Sequence, residues 1–171
     1  MSKPLGVILL VDDNPDDYEA TYRSMQKNQL NNPVQWCQSG HDAKDYLLGE
    51  GKYARSVAAA DGGSPAAPQP ATGLIPPPTL ILLDLNLPGM DGRALLRLIK
   101  QHDRLRSIPV IVLSTSNDAR DVQECYALGA STFIHKPVSF EALNTAIRAM
   151  KAYWFGVALL PATAEVHNAR A

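Results

Sequence analysis

A chain of 171 residues has room for one compact domain and an appendage. Sixteen Lys+Arg against seventeen Asp+Glu leave a formal charge of -1, which gives no electrostatic footprint for nucleic acid or for an anionic membrane surface. Hydrophobic residues at 46% allow a real core, and two cysteines, Cys37 and Cys125, exclude a disulfide framework or a cysteine-only zinc site.

The N-terminal stretch MSKPLGVILLVDD carries an apolar run over residues 7–11 that ends in Asp12 and Asp13. Two acids stand where a cleavage site would need small residues, so the run reads as a first strand, not a signal peptide, and the expected compartment is the reducing cytoplasm. No apolar run of 18 or more residues is present, so no membrane span is expected. A helix then opens at Asn14-Pro15-Asp16-Asp17, with a capping side chain, a proline at the first helical position and acids in the first turn, and is expected to run to about Gln29. A weaker strand covers residues 34–38 (VQWCQ), followed by a helix over about 42–48. From 57 to 78 the composition shifts to six prolines, six alanines, three glycines and one charge, Asp61, which reads as an inserted extended loop. The next strand, residues 79–83, runs into Asp84 and a turn-forming Asn86-Leu87-Pro88-Gly89. A helix is expected over 93–102, a strand over 110–113 running into Ser114, and a helix over 119–128 stopped by Gly129. The last strand, 132–134, leads to Lys136. The last helix begins near Ser139 and places Phe140, Leu143, Ile147, Met150 and Trp154 at helical spacing.

The strong strands are near-continuous in Val, Ile and Leu, the pattern of parallel strands covered on both faces. Strand and helix alternate five times, giving an open doubly wound α/β sheet with right-handed crossovers. In such a sheet the carboxyl ends of the strands share one edge, where ligands bind. Four segments therefore bring Asp12, Asp13, Asp84, Ser114 and Lys136 to one place. Any one of them alone is an ordinary cap, turn residue or solvated charge; together they form a constellation. Crowded carboxylates call for a proton or a cation, and oxygen ligands without nearby His or Cys favour Mg²⁺ first and Mn²⁺ second. A lysine and a hydroxyl beside them can bind phosphoryl oxygens, and a carboxylate can act as the nucleophile.

The segments VDDNPDD, LLDLNLPGMDG, VLSTS and HKP resemble the receiver domain of two-component response regulators over roughly residues 5–152. The resemblance implies a flavodoxin-like sheet in the order 2-1-3-4-5 and a phosphorelay role. In it Asp84 takes a phosphoryl group from a phosphohistidine on a sensor histidine kinase. It implies Mg²⁺ held by Asp13, Asp84 and the backbone carbonyl of Asn86, with Asp12 acting through metal-bound water. Ser114 would be the switch hydroxyl, Phe133 the aromatic switch residue, Lys136 the phosphate-binding lysine, and Lys136–Pro137 a cis bond. Asn86 and Ser116 would flank the water that hydrolyses the phosphorylated state. The tail YWFGVALLP, residues 153–161, together with LILLDLNLPGMDG, is similar to the single-domain regulators paired with bacterial phytochrome kinases, whose last helix is extended.

Residues 1–152 are thus expected to form the receiver and 153–171 an extension, with too little chain left for an output domain. The signal would then leave by protein contact. Tyr153, Trp154 and Phe155 are consecutive and cannot all face one core, which nominates them for a symmetric dimer interface. A phosphate sink or kinase scaffold is the main alternative role. An aspartate-nucleophile phosphatase would need a second acid two residues after Asp84, where Asn86 stands. A calcium loop starting at Asp84 fails on Pro88 and Leu95. His41, His102, His135 and His167 show no ligand spacing.

Overall fold

The computed structural model describes residues 5–54 and 77–161; nearly all of the Pro/Ala-rich segment, and the end of the C-terminal extension, lie outside these. Five strands, β1 (Ile8–Val11), β2 (Val34–Cys37), β3 (Leu80–Asp84), β4 (Val110–Ser114) and β5 (Thr132–His135), form one sheet. Its order is β2-β1-β3-β4-β5 and every pairing is parallel. β3 and β4 each extend one residue beyond the apolar run, so Asp84 and Ser114 are themselves the last residues of their strands.

The two faces divide by residue parity. Leu9, Val11, Ile81, Leu83, Val110 and Val112 point to one side, where they meet residues of α2 (Gly40–Leu48), α3 (Gly92–Gln101) and α4 (Ala119–Ala127) such as Tyr46, Leu95, Leu96, Ile99 and Cys125. Ile8, Leu10, Leu80, Leu82, Ile111 and Leu113 point to the other, against Met25 of α1 (Pro15–Lys27) and Leu143, Ile147 and Met150 of α5 (Phe140–Lys151). Both sides of the central strands are thus buried, which is why their sequences are apolar without alternation.

Helix starts follow their caps. Asn14 Oδ1 accepts from the Asp16 and Asp17 N–H groups at 2.9 and 3.4 Å, and Ser39 Oγ accepts from Asp42 N at 3.1 Å, starting α2 two residues before the expected Asp42. α1 stops at Lys27, short of the expected Gln29, because Gln29 takes a positive φ of 55° and the Leu30 N–H turns back to the Met25 carbonyl at 2.9 Å. Gly129, at φ 100°, closes α4 as expected. Gly92 is required by a close approach: a β-carbon there would sit 2.6 Å from the Leu85 Cα and against the Asp84 carbonyl oxygen. That glycine lets α3 begin directly on the end of β3.

Beyond Lys151 the chain keeps winding, but as a π-helical stretch over Ala152–Val157. Of the three consecutive aromatics, Trp154 and Phe155 pack against the α1/α5 side of the core, and Tyr153 is 56% exposed. A buried polar seam joins α1 to α5: Ser24 Oγ donates to Asn144 Oδ1 at 2.7 Å, and Lys151 Nζ to the Asn28 carbonyl at 2.7 Å.

Near the β2 edge, Cys37 lies fully buried with its sulfur 3.8 Å from the Tyr53 hydroxyl. Burial pushes the Cys37 thiol up to about 12, against the opposing pull of that hydroxyl, and pushes Tyr46 up to about 12 as well. A thiol whose pKa is raised by folding contributes stability that is complete below its unfolded value near 9.0 and lost as pH climbs toward the folded one. Unfolding free energy should therefore decline between pH 9 and 12, with Cys37 adding up to about 1.4 kcal/mol per pH unit to the slope. Urea titrations across that range should show a shallower slope in Cys37→Ala; an identical slope would remove Cys37 as its source.

Candidate functional site

The carboxyl edge of the sheet collects the acids. Asp12 follows β1 and its N–H still donates to the Cys37 carbonyl at 3.1 Å, continuing the β1–β2 ladder one step past the strand. Asp13 is the next residue and is exposed. Carboxylate oxygens of Asp12, Asp13 and Asp84 all lie within 4.8 Å of one another, Asp12 and Asp84 buried. Asp84 is oriented by the Asn86 N–H, which donates to its Oδ1 at 3.0 Å, and Asp12 by the Asn14 N–H at 2.9 Å. Local Asx turns thus hold both acids in place before any ligand arrives.

Lys136 closes the group. Its Nζ lies 2.8 Å from Asp12 Oδ2, 3.1 Å from Asp84 Oδ2 and 2.7 Å from Asp17 Oδ2, with the lysine side chain 14% exposed. Burial alone would lower the Lys136 pKa, but hydrogen bonds to Asp12 and Asp17 and the charges of Asp12 and Asp84 outweigh it and hold the ammonium well above its ordinary value. Burial raises the Asp12 carboxyl, against the opposing hydrogen bond from Lys136. The lysine is the internal counter-charge of the cluster. Asp17 is a partner that reads in the sequence only as a first-turn acid of α1.

One expectation needs correction. The Lys136–Pro137 bond is trans, as are all peptide bonds among the described residues. The trans form is the intrinsically preferred one for X–Pro, and it already lets the Lys136 N–H reach the Ser114 carbonyl at 2.7 Å while Nζ reaches the acids. Of the aromatic trio, Tyr153 is mostly solvent-facing, and Trp154 and Phe155 are partly buried against the α1/α5 side.

Ser114 is completely buried, and its Oγ accepts from the Ser116 N–H at 3.1 Å. From there a chain of contacts leads away from the acids. Ser116 Oγ donates to Asp121 Oδ2, and the Arg93 guanidinium of α3 binds Asp121 and Glu124 of α4 at 2.5 and 3.2 Å. Burial would lower the Arg93 pKa; the bond to Asp121 raises it instead. None of Arg93, Asp121 or Glu124 stood out in the sequence, where each looks like a solvated helix charge. Phe133 is half-buried against the α2/α3/α4 side, with its N–H donating to the Tyr126 hydroxyl at 3.1 Å. Asn86 offers Nδ2 to Thr115 Oγ1 at 3.5 Å, linking the turns after β3 and β4.

Two buried carboxylates, one exposed one and a lysine, with no His or Cys among them, make an all-oxygen donor set that suits a hard divalent cation. Among the described residues no helix is long and apolar enough to cross a membrane.

Known proteins resemble this chain in both sequence and fold. The response regulator receiver domain pattern matches residues 47–148. Response regulator Rcp1 of Synechocystis sp. is 32% identical over 94% of this chain and 97% of its own length. The structure of the phosphorylated cyanobacterial phytochrome response regulator RcpA superposes with a TM-score of 0.75 at 32% identity, covering 92% of this chain and 99% of that one. That of the bacteriophytochrome response regulator AtBRR gives 0.65 at 37% identity, over 92% and 99%. Sheet order, acid-and-lysine edge and full-length relatives agree: the chain belongs to the response regulator receiver domain family.

Proposed function

We propose that the protein is the phosphoacceptor of a two-component relay, with Asp84 taking a phosphoryl group from a phosphohistidine of a sensor histidine kinase of the phytochrome type. The observation that carries this reading is the convergence of Asp12, Asp13 and Asp84 within 4.8 Å, closed by Lys136. An Asp84 carboxylate oxygen attacks phosphorus, the P–N bond to the imidazole breaks with its electron pair returning to the ring, and an acyl phosphate forms on the protein. Lys136 already bonds one Asp84 oxygen and can pass to a phosphoryl oxygen as charge builds there. Asp12, Asp13, Asp84 and the Asn86 carbonyl would hold Mg²⁺ or Mn²⁺, and the similarity to Rcp1, solved in a Mn²⁺-bound form, supports that assignment. Bound there, the cation neutralises charge on the phosphoryl oxygens. Ser114 and Phe133 serve as the switch pair, and the output is a protein contact made in the cytoplasm.

Phosphotransfer from a labelled phytochrome-type kinase tests the assignment. Transfer should require millimolar Mg²⁺ and stop in EDTA, with the label on the peptide containing Asp84. Label on any other residue would refute it.

The extension from residue 153 serves dimerisation in this reading, through Tyr153. Its ring is 56% exposed and meets Trp154 edge-on at 5.0 Å, which fixes it in place on the surface. Tyr153→Glu should convert a sedimenting dimer to monomer without lowering the melting temperature. A variant that stays dimeric at the same concentrations would rule Tyr153 out.

A further inference from the structure

Trp36, on the edge strand β2, touches both sides of the acid loop. Its indole N–H donates to the backbone carbonyl of Asp12 at 2.8 Å. Its ring lies flat on Tyr18 of α1, centroids 4.1 Å apart and planes 5° from parallel, and Tyr18 in turn stacks on Tyr22 at 5.9 Å. One side chain thus grips the end of β1 and the first turns of α1, with the Asp12-Asp13 loop between them.

The carbonyl it holds belongs to the peptide unit joining Asp12 to Asp13. That unit is planar, so fixing its oxygen fixes the direction in which the Asp13 Cα leaves. Asp13 needs such support. Among the described residues no hydrogen bond or ion pair holds its exposed carboxylate, whereas Asp12 and Asp84 are held by Lys136 and by Asx turns. The aim of the third carboxylate comes from the backbone beneath it. Stacking on Tyr18 requires only an aromatic ring; the bond to Asp12 requires the indole nitrogen.

We infer that Trp36 is a positioning residue for the acid cluster, its indole N–H orienting the Asp12-Asp13 peptide so that Asp13 completes a divalent-cation site. The inference rests on the metal-binding reading of that cluster. It assigns to the edge strand a part in the chemistry otherwise carried by β1, β3 and β5.

Trp36→Phe keeps the ring and removes the donor. Titration calorimetry with Mg²⁺ on the full chain should show about tenfold weaker binding than wild type, as for other supports of metal ligands, with little change in the melting temperature in EDTA. Equal affinities would overturn the inference while leaving the metal site standing. A wild type that binds no Mg²⁺ would overturn both. Should Trp36→Phe not fold, the wild-type chain labelled with 5-fluorotryptophan gives the answer without a variant at 36. There are two tryptophans, and Trp154→Phe assigns their fluorine resonances. The Trp36 signal should move on adding Mg²⁺ while that of Trp154 stays; a Trp36 signal unmoved at saturation would overturn the inference.

Discussion

Asp84→Asn is expected to fold normally and to take up no phosphoryl group. The amide is nearly isosteric with the carboxylate, and its Oδ1 can still accept the Asn86 N–H that now reaches Asp84 at 3.0 Å. Lys136 keeps Asp12 and Asp17 as partners, so its ammonium is not stranded. What disappears is the anionic nucleophile, because a neutral amide oxygen does not form an acyl phosphate. Labelling by a phosphorylated kinase should fall on the order of a thousandfold or more, in line with other removed nucleophiles. The label on wild type should be lost in alkali or hydroxylamine, as an acyl phosphate is. A variant that retains such a label would place the acceptor elsewhere.

Lys136→Met is expected to have the largest effect on stability, and an effect that Mg²⁺ reverses. Lys136 Nζ lies within 3.1 Å of both Asp12 and Asp84, whose side chains are only 5% and 9% exposed. Removing one partner of a buried charged group leaves the others uncompensated, a loss of about 3 kcal/mol. In EDTA the variant should therefore unfold at lower urea than wild type. Added Mg²⁺ should raise its stability more than it raises that of wild type, because the cation supplies the missing positive charge and binds only the folded state. The pH dependence has a definite sign. Burial raises the Asp12 carboxyl, and Lys136 opposes that rise. With the lysine gone the folded state binds the Asp12 proton more tightly still, so the variant should recover stability as pH falls from neutral toward the unfolded carboxyl value of 3.8. Equal stability of variant and wild type in EDTA would show that Lys136 is not the counter-charge.

The sheet was legible because burial on both faces leaves a simple mark: runs such as ILLV, LILLD and VIVLS with polar residues at their ends. Cap chemistry placed the starts of α1 and α5 through Asn14 and Ser139, and the end of α4 through Gly129. The strand order came from resemblance to a family, not from the apolar runs, which say nothing about neighbours. Asp12, Asp13, Asp84 and Lys136 could be brought together because topology alone puts the ends of parallel strands on one edge. The partners of those residues were another matter. Asp17 joins Lys136 across 119 positions of chain (136 minus 17), and Trp36 meets Asp12 because β2 pairs with β1. Neither pairing has a local signature. The same holds for Ser24 with Asn144 and for Arg93 with Asp121, which depend on how helices lie against each other. The left-handed turn at Gln29 and the π winding after Lys151 escaped detection for a different reason: neither residue type demands that conformation.

The run of contacts from Ser114 through Ser116 and Asp121 to Arg93 gives the β4–α4 loop a mechanical character. Turning the Ser114 hydroxyl toward Asp84 means surrendering the Ser116 amide, and whatever that amide does next is felt by Asp121 and so by the ionic bolt between α3 and α4. In the proposed reading, a chemical event on Asp84 would be geared, through these three short links, to the fit between two helices on the outside of the molecule.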